Sequence, residues 1–277
     1  MKIKSYAKLN LNLNVLPQKL PNGLFKVHFI NCQISLCDIL NIQKSQDIKI
    51  TCDKKKIPLD EKNLVYKTCQ LLKKNAKINI QKNIPMLGGL GGGSTNAAST
   101  IFALKDIYKL NLTQRYIDKL ANLLGKDVCY LVYGGLAEVC HDGSIIKKLP
   151  YKLPRLHLLI IYPKAIKPST AWMYQHLDVN TLGKSTDKLK QLKKAIKNQD
   201  KCKIINNLHN DFEYLAIIKF PELQQIKNDF TDQGAKNSIL LGSGLGMAGF
   251  FTDKKTRDKA FLKLKHKYKT IFCTHTI

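Results

Sequence analysis

Acidic residues are scarce in this 277-residue chain: 20 Asp and Glu face 46 Lys and Arg, leaving a formal net charge of +26 at pH 7. Such an excess first suggests nucleic acid or an anionic surface. Its distribution points elsewhere. Lysines recur along the whole chain, with runs at Lys54-Lys55-Lys56, Lys188 to Lys203 and Lys254 to Lys269, and aromatics do not interleave them as in a single-strand binder. Solvated basic faces that also attract polyphosphate substrates account for the charge, so no nucleic-acid partner is expected. Long apolar runs are missing too. Stretches such as Leu156-His157-Leu158-Leu159-Ile160-Ile161 are far too short for a bilayer, and no membrane partner is expected. Met1 to Tyr6 opens a polar alternating strand where a secretory signal would carry an apolar core, which makes a cytoplasmic protein the expectation. The eight cysteines contain no C-x-x-C and no Cys/His pair at zinc spacing; they read as reduced core thiols, Cys129 included.

What is present supports a large core, since 44% of the residues are hydrophobic, and the length suits two domains. Two prolines flank a short polar stretch at Pro150-Tyr151-Lys152-Leu153-Pro154, the expected boundary. Periodicity predicts strands near residues 3–15, 27–36, 47–52, 76–82, 134–139, 145–149, 157–162 and 239–241. It predicts helices near 64–74, 98–108, 114–124 and 207–217, and a Lys-rich helical stretch after residue 188.

Five of the 16 glycines fall in one loop, Pro85-Met86-Leu87-Gly88-Gly89-Leu90-Gly91-Gly92-Gly93-Ser94-Thr95-Asn96, between a predicted strand and a predicted helix. Unpaired N–H groups and the positive end of the helix dipole converge at such a junction, and glycine lets an anion reach the backbone. Ser94 and Thr95 add hydroxyls for a phosphate or its metal. The loop is not a P-loop, because Ser94 stands where that motif needs lysine, and the run of Gly91, Gly92 and Gly93 breaks the dinucleotide pattern. A literal G-x-G-x-x-G at Gly244 to Gly249 lacks the Rossmann context.

Two further features could carry chemistry. Leu9, Leu11, Leu13 and Val15 share one strand face, which gathers Lys8, Asn10, Asn12 and Asn14 on the other, either a solvated edge face or a cleft wall. Asp127 follows Gly125-Lys126 where one helix ends and another can begin. It reads as a helix N-cap or as a carboxylate that takes a hydroxyl proton, and the two are compatible.

Pro85 to Asn96 resembles the phosphate-binding motif of the GHMP kinases. Within that superfamily Ala7-Lys8-Leu9-Asn10-Leu11 and Gly125-Lys126-Asp127-Val128 are similar to the cytidyl-methylerythritol kinases of the non-mevalonate isoprenoid route. The likeness continues, in family order, through Asn63 to Lys67, Pro163 to Tyr174, Asn210 to Glu213, Phe220 to Glu222 and Gly242-Ser243-Gly244. It implies an α+β, two-domain fold: an ATP-binding domain over 1–150 of the ribosomal-protein-S5-domain-2-like kind, and an α/β-sandwich domain over 151–277. It also implies ATP and Mg²⁺, a cytidyl-diphosphate alcohol as substrate, and a monomer or homodimer.

By matched position, the resemblance makes Lys8 and Asp127 catalytic. It assigns Asn63, Pro85, Gly88, Gly89, Leu90, Gly91, Gly92, Gly93, Ser94 and Thr95 to ATP. It gives the acceptor Asn10, Phe25, Ser169, Thr170, Gly242, Ser243 and Gly244, and names no side chain as a metal ligand. The chain departs from the pattern in three places. Leu24-Phe25 replace a tyrosine and a histidine that recognise cytosine, Leu87 replaces a small residue, and Leu241 replaces a serine or threonine. Phe25 can stack on a base, but neither it nor Leu24 can hydrogen-bond a base edge. These departures leave another small alcohol, or a non-catalytic nucleotide-binding role, as alternatives.

Overall fold

A computed structural model describes residues 1–86 and 88–277, and the Leu87 departure lies outside them. Alternating sequence produces β1 (Lys2–Lys19), which turns at Gly23 and returns antiparallel as β2 (Phe25–Lys44), with Asn10 opposite Asn31. The far half of β2 carries β4 (Ala76–Gln81), whose outer neighbour is β3 (Lys49–Cys52). Its near half carries β5 (Ala137–His141) and then β6 (Ile145–Lys148). A second, antiparallel sheet starts with β7 (His157–Ile161). After it, β8 (His209–Asn210) returns to the first sheet as a parallel neighbour of β1. The second sheet is completed by β9 (Asn237–Leu240), β10 (Met247–Phe251) and β11 (Ile271–His275), in the order β11-β7-β10-β9.

Four helices belong to the first half: α1 (Leu64–Leu72), α2 (Gly92–Ile107), α3 (Gln114–Leu124) and α4 (Lys126–Leu131). Local chemistry sets their ends. Asn63 caps α1 by accepting from the Val65 N–H, Thr113 caps α3 by accepting from the Tyr116 N–H, and Gly125 closes α3. The second half adds α5 (Thr170–Gln175), α6 (Thr186–Lys197), α7 (Lys201–Asn206), α8 (Phe212–Lys219), α9 (Glu222–Asp232) and α10 (Lys254–Leu264). Among the described residues no helix is long and apolar enough to cross a membrane.

Both faces of the second sheet are buried. Leu158 and Ile160 of β7 pack toward Leu9, Leu11 and Ile30 of the first sheet, while Leu159 and Ile161 pack against Phe212 and Phe230. A third core, under the other face of the first sheet, joins Leu40, Ile78, Ile101 and Leu120. The cysteines are all free. Cys32, Cys69 and Cys129 lie in these cores as expected, whereas Cys202 and Cys273 are exposed and Cys37, Cys52 and Cys140 only partly buried, so these five are not core thiols. Burial raises the Cys129 thiol to about 11.

Three other sequence expectations change. The helix expected over 207–217 splits, because the Asn210 side chain donates to the carbonyls of Leu240 and Gly242 while Asp211 accepts from the Val15 N–H, drawing this stretch into the sheets. The strand expected from Gly134 starts at Ala137, since Gly134 and Gly135 adopt φ of 61° and 67°. Asn12 and Asn14 are fully buried, which excludes the solvated face.

One buried carboxylate ties the glycine loop to the sheet. Asp38 of β2 has no exposed surface, and its Oδ2 accepts from Lys82 Nζ at 2.5 Å and Asn96 Nδ2 at 2.9 Å. Its Oδ1 accepts from the N–H groups of Asn83 and Ile84, each at 2.8 Å. It thus fixes the end of β4, the start of the loop and the first turns of α2 together. Removing one partner of a buried ion pair leaves the other charge uncompensated, which costs about 3–5 kcal/mol. Asp38→Ala is expected to lower unfolding stability by that amount, measured by urea denaturation; a loss under about 1 kcal/mol contradicts this role.

Candidate active site

A cleft of about 1440 Å³ runs between the glycine loop, β1 and the second sheet. The loop is shaped by contact with a second glycine turn. Gly89 takes φ of +76°, and a Cβ there would stand 1.9 Å from the Leu241 carbonyl oxygen, while a Cβ on Gly244 would stand 2.8 Å from the Gly88 carbonyl carbon. The hydroxyl of the partly buried Tyr162 donates to the Gly88 carbonyl at 2.8 Å. The literal G-x-G-x-x-G at Gly244 to Gly249 therefore begins in the β9–β10 turn, packed backbone to backbone on the phosphate loop.

Beyond this contact Gly91, at φ +68°, occupies the N-cap position of α2, and no side chain caps the helix. A Cβ on Gly91 would meet Lys8 Cγ at 2.9 Å. The first turn of α2, Gly92 to Ser94, lines the cleft with its N–H groups uncapped by any side chain.

Lys8 reaches the same place through irregularities in β1. The β1–β2 register shifts between Tyr6 and Lys8 and again between Asn10 and Asn12, and the Lys8 N–H bonds the Leu90 carbonyl at 3.0 Å. Its side chain is buried, donating to Asn10 Oδ1 at 2.9 Å, with Asp127 Oδ1 at 3.5 Å. Asn10 in turn donates to Asn31 Oδ1 at 2.6 Å. Asp127 is not the cap of its helix. Gly125 holds that position, and Asp127 lies in the first turn of α4 with its side chain 43% exposed toward the cleft. Tyr174 borders the same space, its hydroxyl pushed up to about 12 by burial and by the charge of Asp127. At neutral pH it is protonated and can donate a hydrogen bond into that space.

The cleft is strongly cationic: among the described residues eight lysines line it against two carboxylates, Asp127 and Asp142. Asp142 is neutralised by Lys126 at 2.7 Å. Most of the sequence-derived set meets here. Lys8, Asn10, Phe25, Asn63, Pro85, Gly88, Gly89, Gly91, Gly92, Gly93, Ser94, Asp127, Ser169, Thr170, Gly242, Ser243 and Gly244 all line the cleft. Leu90 and Thr95 do not. Leu90 is a core residue, and the Thr95 hydroxyl donates to the Tyr6 carbonyl at 2.7 Å. Phe25 lies nearly parallel to Tyr174, ring centroids 6.3 Å apart, and Tyr174 stands edge-on to Phe212 at 4.8 Å. Sequence reasoning gave no role to Tyr162, Asn31, Lys167 or Tyr174, although Lys167 lies within the matched stretch from Pro163 to Tyr174, Tyr174 ends it and Tyr162 precedes it.

Metal-ligating side chains also cluster at one place among the described residues, His28, Glu138 and Cys140. Glu138 there is held by Lys193 at 2.9 Å and His28 at 2.6 Å, and a His/Cys set does not suit Mg²⁺. Ser94 is the better fit, a hydroxyl at the uncapped helix end beside the loop.

Comparison with known proteins decides the family. Residues 63–140 match the family described as GHMP kinases N terminal domain. A 4-diphosphocytidyl-2-C-methyl-D-erythritol kinase of Clostridium kluyveri is 35% identical over 284 residues, covering 100% of both chains. One from Clostridium perfringens is 34% identical over 287 residues, covering 100% of this chain and 98% of its own. The chain belongs to the 4-diphosphocytidyl-2-C-methyl-D-erythritol kinase family. The fold agrees: a crystal structure of 4-(cytidine 5'-diphospho)-2C-methyl-D-erythritol kinase superposes with a TM-score of 0.84 at 23% identity, covering 100% of this chain and 99% of that one. This kinase is therefore an ATP-dependent small-molecule kinase of the GHMP fold.

The glycine contact gives a prediction. In this kinase Gly89→Ala drives a Cβ into the Leu241 backbone at a positive φ, whereas a Cβ on Gly93 meets only Leu64 Cδ1 at 4.0 Å. Gly89→Ala is expected to lose about 2–4 kcal/mol of stability from overpacking and strain, with Gly93→Ala losing none. Paired denaturation curves check this, and equal effects of the two variants contradict it.

Proposed function

We propose that the chain transfers the γ-phosphoryl group of ATP to the 2-hydroxyl of 4-diphosphocytidyl-2-C-methyl-D-erythritol, the alcohol in the names of its clostridial relatives. The observation that carries this reading is the Lys8–Asp127 pair, 3.5 Å apart, in one cleft with the uncapped N-terminus of α2. Asp127 takes the proton of the acceptor hydroxyl as its oxygen attacks phosphorus, and ADP leaves. Lys8, held by Asn10, stabilises charge on the attacking oxygen and the transferring phosphoryl group. The α2 N–H groups bind the phosphates, and Asn63 borders the adenine side. Asn10 orients the acceptor, helped by Asn31, whose buried Nδ2 lacks a partner and lines the cleft. Ser94 would hold Mg²⁺ together with the nucleotide phosphates, and the ion would neutralise their charge. Phosphoryl transfer depends chiefly on positioning and charge, which these groups supply.

The division into 1–150 and 151–277 belongs to this proposal; it is supported by β1–β6 and α1–α4 lying in the first part and the whole second sheet in the second, with β8 as the one strand that returns. A cytoplasmic location is part of the same reading.

Purified protein with ATP, Mg²⁺ and a panel of alcohol acceptors, followed by phosphorus NMR, tests the assignment. Asp127→Ala is expected to lower kcat by ~10²-fold or more while ATP affinity holds, the scale of a positioned general base. Near-native kcat would reduce Asp127 to a structural residue.

Phe25 generates a further expectation. With stacking but no edge contacts from Leu24 or Phe25, discrimination between the cytidyl acceptor and its uridyl analogue is expected to be weak. Leu24→Tyr with Phe25→His is expected to tighten the cytidyl acceptor by ~1–3 kcal/mol. Loss of cytidyl activity in that double variant, with the wild type preferring a different alcohol, would leave only the GHMP kinase assignment standing.

A further inference from the structure

Lys167 lies between β7 and α5, lines the cleft, and is half-buried. Its Nζ donates to the Ser243 carbonyl, to Ser243 Oγ at 3.2 Å and to Thr170 Oγ1 at 3.2 Å, and the two hydroxyls are 3.4 Å apart. All of these partners are neutral. Three other lysines of the cleft have a carboxylate: Lys8 has Asp127, Lys82 has Asp38 and Lys126 has Asp142. Lys167 has none in ion-pair reach among the described residues, and Lys19, Lys56, Lys62 and Lys164, which also lack one, are exposed to water.

A half-buried ammonium without a counter-charge is costly unless an anion completes the site. Burial lowers its pKa to about 8, which still leaves most of it charged at neutral pH. Its place in the cleft says which anion. Ser243 follows Gly242, where an added Cβ would be 3.4 Å from Asn10 Oδ1, and Asn10 holds Lys8. Lys167 therefore sits at the turn that packs on Gly88 and Gly89 and reaches Asn10, among the groups assigned to the acceptor. ATP already has the α2 N–H groups.

We propose that Lys167, with Thr170 and Ser243, binds the diphosphate of the acceptor, which makes it a specificity determinant for nucleoside-diphosphate alcohols over uncharged ones. The inference rests on the acceptor assignment proposed above. Two hydroxyls and an ammonium converging on one point offer charge-assisted hydrogen bonds to a diphosphate and nothing comparable to a neutral alcohol.

Lys167→Met and Lys167→Arg, titrated calorimetrically with CDP, cytidine and ADP and assayed for acceptor KM and kcat, test it. Lys167→Met is expected to weaken CDP and raise acceptor KM about ten- to a hundredfold, the scale of a charged hydrogen bond. Cytidine and ADP affinities are expected to hold, kcat to change less than KM, and Lys167→Arg to recover most of the loss. Unchanged CDP affinity, equal losses for CDP and cytidine, or a loss confined to ADP would each overturn the role of Lys167. Retained ADP binding reports a folded variant. A wild type that binds no CDP would fail the acceptor assignment itself, and Lys167 with it, whereas a wild type and a Met variant that bind CDP equally would sink only Lys167.

Discussion

The site depends on a carboxylate that never meets solvent. Asp38 receives four donors from two segments, residues 82–84 and Asn96 of α2, two of them backbone N–H groups at the point where the chain leaves β4 for the glycine loop. A glycine-rich loop has little side-chain packing of its own to fix its course. Its entry is therefore specified from below by a charge on β2 and its exit by Asn96 of α2, which answers the same charge. A Cβ on Gly92 would come within 2.7 Å of Lys82 Nζ, so the ion pair also sits directly beneath the first residue of the helix. The orientation of the α2 N–H groups toward the cleft follows from this arrangement.

The cleft adds an electrostatic asymmetry to that geometry. Its lysines create a positive field, and within it Asp127 stands 3.5 Å from the Lys8 ammonium with its side chain 43% exposed toward the cleft. The diffuse positive charge of the whole chain extends this field outward, and the cleft is where it becomes specific.

The parts legible in sequence are those encoded locally. The junction of strand and helix at the glycine loop and the alternation in β1 are encoded by neighbouring residues, and β1, β4 and α2 form where those patterns predict them. The polar face of β1 was ambiguous because alternation distinguishes two faces without saying what covers either. Lys8 and Asn10 border the cleft, while Asn14 donates to Asn12 in the interior. Asp127 is ambiguous in sequence because a carboxylate at a helix start suits a cap as well as chemistry, and the cap reading falls only because Gly125 holds that position. Contacts between distant segments gave no signal: Asp38 with Lys82, Tyr162 with Gly88 and Lys167 with Ser243 join residues 44, 74 and 76 positions apart. The merging of β8 and α8 into one expected helix has the same origin, since Asn210 looks helical until Leu240 and Gly242 offer it their carbonyls.

The two glycine turns touch through backbone atoms, and the Tyr162 side chain bridges them, its hydroxyl bonded to Gly88 and its ring against Gly246. A Cβ added at Gly88, Gly89, Gly244 or Gly246 would overlap this contact, so none of the four positions has room for a side chain. Leu24, which lines the same cleft with 49% of its surface exposed, has the room those glycines lack, so substitution there leaves the contact in place.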